Sequence, residues 1–94
     1  MEKKKDLITS FNELKRMHPD AILLYRVGDF YESYFNDAYT LSKILGVTLV
    51  KYLTIKDKNG SPIPTVGFPY HALDTYLPKI IRAGKRLAIC DYPY

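Results

Sequence analysis

The sequence predicts an α+β fold, namely a single domain over residues 1–94 in which helices flank a mixed central sheet. Short runs rich in β-branched and aromatic residues, bounded by turn residues, indicate strands. Between these runs, apolar residues recur at helical spacing. The segments follow in the order α-β-β-α-β-β-α-β, which favours one sheet with helices packed on it. A chain of 94 residues is long enough for one core of this kind.

The first helix is predicted over residues 8–17. Its inward face is formed by Leu7, Phe11 and Leu14. Ser10 and Glu13 have the spacing of a capping box, so Ser10 is the expected N-cap. The helix should end before Pro19, because the residue that precedes a proline avoids the α region.

Two extended segments follow and meet at a tight turn. Residues 21–27 are too apolar for a surface loop, which indicates a buried strand. Residues 30–35 are rich in aromatic side chains, which favour a pleated surface. Gly28 lies between the two segments and can supply the positive φ that such a turn needs.

The second of these strands has two chemically different faces, because alternate side chains of a strand point to opposite sides. One face holds Phe30, Glu32 and Tyr34, and the other holds Tyr31, Ser33 and Phe35. One of them must meet the core. If the face of Tyr31 and Phe35 does so, Phe30 projects outward beside a carboxylate, which suits contact with a ligand better than packing. The alternative is an ordinary strand with one apolar face and no binding role.

A helix over residues 37–45 and a strand over residues 47–55 are predicted next. Asn36 favours the N-terminus of the helix, and Gly46 is suited to its C-terminus. The Asn-Gly pair at residues 59–60 is a strong hairpin signal, so the chain is expected to turn back there.

Prolines mark the last third of the chain. The segment after the hairpin carries Pro62, Pro64 and Pro69. Since proline cannot donate to a ladder, this strand is expected at a sheet edge or with irregular ends. A helix over residues 71–83 contains Pro78, so it either starts near Thr75 or is kinked. After Gly84 a final strand is predicted over residues 86–92.

Composition restricts the function classes. The chain is 47% hydrophobic and 26% charged, which is typical of a globular protein. No apolar run approaches the length that crosses a bilayer, so no membrane partner is expected. The single cysteine, Cys90, lies in an apolar run, which favours a reduced thiol and a cytoplasmic protein.

The net charge of +4 falls on the second half of the chain. Residues 1–50 carry seven basic and seven acidic residues, whereas residues 51–94 carry seven basic and three acidic ones. The basic residues of the second half are Lys51, Lys56, Lys58, Lys79, Arg82, Lys85 and Arg86. Such a bias suits a polyanion, and it equally suits an ordinary solvated surface.

Catalytic residues, cofactors and metals are not predicted. The chain has no glycine-rich phosphate loop, and its Cys and His spacing suits no metal site. Asp29 and Glu32 make a poor catalytic pair, because residues three apart in a strand lie on opposite faces. His71 is expected to bond or pack locally rather than to act as a base.

Three stretches, in chain order, resemble the MutS family of DNA mismatch repair proteins. They are residues 26–32 (RVGDFYE), 62–72 (PIPTVGFPYHA) and 83–90 (AGKRLAIC). The resemblance runs from about His18 to about Asp91 and covers the first domain of a MutS protein, the mismatch-recognition domain. It implies the fold of that domain, a mixed sheet flanked by helices.

The resemblance implies that Phe30 and Glu32 form the Phe-x-Glu segment that reads mispaired bases. In MutS proteins the matching phenylalanine enters the minor groove and stacks on the mispaired base, and the matching glutamate hydrogen-bonds that base. A wedge of this kind tests how easily DNA kinks, and a mismatch is already poorly stacked. Glu32 is repelled by phosphates, so it can only accept from a base N–H or carry a proton and donate it.

The partner implied by the resemblance is double-stranded DNA, especially mismatched DNA, with other repair or DNA-processing proteins as further candidates. The residues expected at the DNA backbone are Lys51, Lys79, Arg82, Lys85 and Arg86. Tyr52 stands where the family often has a second basic residue, which weakens backbone contact. The alternative function is a protein-interaction module that keeps the fold without reading DNA. The lysine-rich start at Met1 favours a natural stand-alone chain. The alternative is that the chain is a domain excised from a longer protein.

Overall fold

The computed structural model describes residues 6–48, 50–57 and 59–93, with residues 50–55 described in their backbone alone. Its elements are α1 (Leu7–Met17), β1 (Ala21–Val27), β2 (Phe30–Tyr34), α2 (Asn36–Leu45), β3 (Val50–Lys56), β4 (Pro62–Pro69), a 3₁₀ turn (Tyr70–Ala72), α3 (Leu73–Arg82) and β5 (Arg86–Tyr92). The predicted order of helices and strands is confirmed.

Within these ranges the strands form one mixed sheet in the order β3-β4-β2-β1-β5. β1 pairs antiparallel with β2 and parallel with β5, and β4 pairs antiparallel with β2 and β3. The predicted α+β class with a mixed central sheet is therefore confirmed.

Helices pack on both faces of the sheet. One face, with α2 and α3 on it, buries Ile22, Leu24 and Tyr31. The other, which we call the α1 face, buries Tyr25 and Tyr34 beneath α1. The expectation that a single face of β2 meets the core is wrong, because the two core clusters lie on opposite sides of the same strand.

The two ends of the sheet are distinct. At the turn end, Val27 pairs with Phe30 and Tyr92, and Phe30 pairs with Pro69. At the opposite end, Ala21 pairs with Arg86. β1 spans seven residues, so at about 3.3 Å per residue the two ends lie about 20 Å apart.

The N-terminus of α1 differs from the prediction. Asp6 is the N-cap, and its carboxylate accepts a hydrogen bond from the Thr9 backbone N–H at 2.8 Å. The hydrogen bonds from Thr9 lower the pKa of Asp6. Ser10 lies inside the helix, where its buried hydroxyl shares a 2.7 Å hydrogen bond with Tyr25. The Ser10 cap was wrong because Asp6 offers a side-chain acceptor one turn earlier.

The proline-rich strand β4 lies inside the sheet, so the predicted edge position is wrong. The alternative, irregular ends, holds at its N-terminal end, where the register against β3 shifts between Ile63 and Pro62. β2 pairs with residues 65–69. Pro62 and Pro64 therefore lie beyond the end of β2, where the missing N–H interrupts no pairing with that strand.

The helix with the internal proline begins earlier than Thr75. α3 starts at Leu73, directly after the 3₁₀ turn, so Pro78 lies inside the helix rather than in its first turn. Its nitrogen cannot donate to the carbonyl of Asp74, and one hydrogen bond of the helix is lost there.

Candidate nucleic-acid interface

The turn between β1 and β2 is fixed on both sides. Gly28 has φ 62°, in the left-handed region that favours glycine. The Arg26 Nε–H donates to the Gly28 carbonyl at 3.3 Å. The Tyr70 backbone N–H donates to the Asp29 carbonyl at 2.8 Å and ties the turn to the end of β4. Phe30, the next residue, thus leaves a turn that has two points of attachment.

Phe30 is exposed, as the sequence predicted for an outward-facing ring. Its side chain is 47% exposed, and it lies outside both core clusters. The reason differs from the prediction, because Phe30 belongs to the α1 face rather than to an uncovered outer face. Its ring is open because it lies at the turn end, past Tyr25 and Tyr34, on which α1 packs.

Phe35 does not share the face of Tyr31, and that part of the prediction is wrong. Phe35 has φ 57°, an uncommon value for a residue other than glycine. This conformation ends the alternation of β2 and turns the side chain to the α1 face, where it packs against the cluster of Tyr34.

Glu32 lies on the same face as Phe30 and is half-buried. Its Oε1 accepts a hydrogen bond from the Tyr34 hydroxyl. Burial raises the pKa of Glu32, and the hydrogen bond from Tyr34 lowers it by less. Its neighbour across the strands is Gly67, and a Cβ there would lie 3.4 Å from the Glu32 Cγ. The Glu32 side chain thus lies against Gly67, and its half-buried carboxyl group is easier to protonate than an exposed one.

The basic residues predicted at the DNA backbone lie away from Phe30. Lys79 and Arg82 are exposed on the second half of α3, and Lys85 and Arg86 are exposed at the start of β5. This region is the opposite end of the sheet, about 20 Å from the turn end. The side chain of Lys51 and all of Lys58 lie outside the described part of the chain. Phe30 and Glu32 are thus brought together. Lys79, Arg82, Lys85 and Arg86, which we call the basic cluster, are separate from them.

Arg26 and Tyr70 form a second feature of the turn end that the sequence argument missed. The Arg26 guanidinium lies 4.1 Å from the centroid of the Tyr70 ring, a cation–π contact. Tyr70 is 42% exposed. Arg26 was overlooked because the first half of the chain has no net charge. The signal that could have found it is its position in the same seven-residue motif as Phe30.

Among the described residues, no three of His, Cys, Asp and Glu lie close enough together to hold a metal ion. No helix in the ranges that the structure describes is both long and apolar enough to span a membrane.

Comparison with known proteins gives one family. The family model of MutS domain I matches residues 5–93. The DNA mismatch repair protein MutS of Bacteroides thetaiotaomicron is 58% identical over 85 residues, which is 90% of this chain and 10% of that protein. The MutS proteins of Porphyromonas gingivalis and Flavobacterium psychrophilum are 54% and 53% identical over 90% and 95% of this chain, and over 9% and 10% of their own lengths. The chain spans about a tenth of the length of these curated relatives.

Proposed function

The chain belongs to the MutS domain I family, and from this premise we propose that it is a module that binds mismatched double-stranded DNA. Phe30 is the wedge that enters the minor groove at a mispaired base, and Glu32 hydrogen-bonds the same base. The observation that carries the proposal is the half-exposed Phe30 ring on a turn with two attachments.

The wedge discriminates through the cost of unstacking. Inserting an apolar side chain between base steps costs a few kcal/mol in ordinary duplex DNA. A mismatched step is already poorly stacked, so the same insertion costs less there. Two hydrogen bonds already hold the backbone of the turn, so the backbone loses little conformational freedom when the ring inserts, and the entropic cost of binding is smaller.

Glu32 adds a penalty against ordinary duplex rather than general affinity. Its burial already favours the protonated form, and nearby phosphates favour it further. A neutral carboxyl can donate to a base acceptor, and an ionised one can accept from a base N–H. Where a perfect duplex places neither a base acceptor nor a base N–H within reach of Glu32, its ionised carboxylate is repelled by the phosphates.

The backbone contacts divide into two groups. Arg26 lies at the turn end and can meet phosphates beside the wedge. The proposed distal contacts are Lys51, Lys79, Arg82, Lys85 and Arg86. A duplex must extend about six base pairs from the wedge to span the ~20 Å between the two ends of the sheet. The distal group therefore supplies sequence-independent attraction.

We propose that the module binds DNA without a catalytic residue or a cofactor of its own. Its relatives are bacterial proteins named for DNA mismatch repair, which supports a cytoplasmic location with the chromosome. Other repair or DNA-processing proteins are the further partners that we propose.

The test is a titration of the chain with two oligonucleotides that differ by one mismatch, at two salt concentrations. We expect tighter binding to the mismatched duplex at both salts, and weaker binding to both duplexes at the higher salt. Equal affinity for the two duplexes would contradict mismatch reading. Binding to neither would favour the protein-interaction module instead.

A further inference from the structure

Glu32 is held by a buried phenol two residues along the same strand. The ring of Tyr34 is fully buried and meets Phe11 edge-on, with centroids 4.9 Å apart. Its hydroxyl donates to Oε1 of Glu32. Because the ring is packed on the core, the hydrogen bond fixes the carboxylate rather than the reverse.

The other side of the Glu32 side chain is confined by backbone. Gly67 lies directly across from Glu32 in β4. A Cβ added to Gly67 would lie 3.4 Å from the Glu32 Cγ and 3.3 Å from the Tyr31 carbonyl oxygen. The methylene groups of Glu32 therefore lie close against bare backbone, while its carboxylate is bonded to the phenol. Both restraints reduce the number of orientations that the carboxylate can take.

We propose that Tyr34 is a positioning residue for base recognition, which holds Oε1 of Glu32 inward so that Oε2 is the oxygen presented to the base. The proposal rests on the function proposed above. It assigns to Tyr34 a role beyond core packing, and it divides the two oxygens of Glu32 between the protein and the DNA.

The chemistry of the two groups supports this division. A neutral phenol offers one O–H, which it donates here. A protonated carboxyl has one carbonyl oxygen and one hydroxyl oxygen. When the Tyr34 hydroxyl donates to Oε1, that atom acts as the carbonyl oxygen, and the proton of a neutral Glu32 resides on Oε2. Tyr34 thus decides which oxygen of Glu32 donates to a base acceptor.

The test compares Tyr34→Phe with Tyr31→Phe. The first variant removes the hydroxyl and keeps the ring that packs on Phe11. The second removes a hydroxyl from the opposite face of the same strand, where the Tyr31 ring packs against Phe68 at 5.9 Å. Both variants keep their rings, so a loss of folding is not expected to obscure the comparison.

The first readout is the carboxyl titration of Glu32, followed by carbon-13 NMR in the free 94-residue chain. The hydrogen bond from Tyr34 lowers the pKa of Glu32, so Tyr34→Phe should raise it further. Tyr31→Phe should leave it unchanged. An unchanged titration in Tyr34→Phe would overturn the proposal whatever the DNA measurements show.

The second readout is the ratio of affinities for mismatched and perfect duplex as a function of pH. Tyr34→Phe should reduce this ratio roughly three- to tenfold, the worth of one hydrogen bond, and should move its pH midpoint upward. In a Glu32→Ala background, which has no oxygen to accept from Tyr34, the same substitution should change neither the ratio nor its pH dependence. If the wild-type chain shows no mismatch preference at any pH, the proposed function and the base-facing role of Oε2 fail together. A shifted Glu32 titration would then still establish Tyr34 as the group that positions the carboxylate.

Discussion

The α1 face of the sheet is packed in one part and open in another, although β2 runs through both. In the covered part, Tyr34 is fully buried and Phe11 of α1 meets its ring edge-on. In the open part, Phe30 is exposed and Glu32 is half-buried. Strand alternation places these three residues of β2 on one face. Which of them is buried depends on how far α1 extends over the sheet. One strand thus supports the fold at one end and presents a ring to solvent at the other.

The covered part should show the largest effect on stability. Phe11→Ala removes a ring that is 2% exposed and contacts both Tyr25 and Tyr34. We expect a loss of about 3–5 kcal/mol in the free energy of unfolding, because the substitution leaves a cavity in the core. Urea denaturation measures it. A loss below about 1 kcal/mol would show that α1 does not stabilise this face.

The open part should show the opposite behaviour. Phe30→Ala should cost about 1 kcal/mol of stability, since half of the ring is already exposed. It should remove about 1–3 kcal/mol of stacking on a mismatched base and so abolish the preference for mismatched over perfect duplex, while weak salt-dependent binding remains. Thermal melting and paired-duplex titration measure the two effects.

Tyr39→Ala is the matched control for Phe30→Ala. Tyr39 is 50% exposed, on α2 rather than on the α1 face, so its removal should leave the mismatch preference unchanged. A large drop in the melting temperature of Phe30→Ala would exclude the wedge. An intact mismatch preference in that variant would assign the reading to another residue.

The contributions of the open part and of the basic cluster to DNA binding can be distinguished by their dependence on salt concentration. A variant in which Glu replaces Lys79, Arg82, Lys85 and Arg86 should bind all duplexes more weakly. The affinity of this variant should also depend less steeply on the salt concentration. Contacts to phosphates release counterions, so their contribution to the affinity falls as the salt concentration rises. We therefore expect a loss of severalfold near 0.01 M salt and a smaller one at 0.1 M.

The control for these charge reversals is Lys43→Glu on α2, outside the basic cluster. Its effect per charge should be smaller than that of the cluster. If the variant with all four reversals kept the salt dependence of the wild type, DNA would bind without contacting the basic cluster, through residues such as Arg26.

The element order could be predicted because its signals are local. Apolar spacing, Gly46 and the Asn-Gly pair at residues 59–60 each act over a few residues. Strand order could not, since pairing joins segments far apart in the chain, and β4 lies inside the sheet despite Pro62 and Pro64.

The candidate site was predictable in part. Alternation put Phe30 and Glu32 on one face and Tyr34 with them, and the family resemblance singled out the first two. The hydrogen bond from Tyr34 and the contact of Glu32 with Gly67 depend on side-chain directions and on the pairing of β2 with β4. The side of Phe35 was missed because its positive φ breaks the alternation.

The smallest predicted effect concerns the charge of Glu32. Glu32→Gln should raise the affinity for perfect duplex about two- to threefold, or roughly 0.5 kcal/mol, because the repulsion by phosphates is gone. The preference for a mismatch should narrow accordingly. Asp29→Asn is the control, since it removes an exposed carboxylate from the same turn. An equal gain in both variants would show a general charge effect rather than a role of Glu32, and equal losses on both duplexes would contradict the repulsion.

The same substitution has a consequence for stability that does not involve DNA. Burial raises the pKa of Glu32 above 4.5, so the folded chain keeps this proton over a pH range in which the unfolded chain has released it. The stabilisation is fully present below about pH 4.5 and is lost as the pH rises through the folded-state pKa of Glu32. Glu32→Gln removes this loss. The free energy of unfolding of the variant should therefore increase relative to that of the wild type as the pH rises through this window. Urea denaturation of both chains at several pH values measures the difference. A difference that does not change with pH would mean that the carboxylate in the open part of the α1 face is as well solvated as one in the unfolded chain.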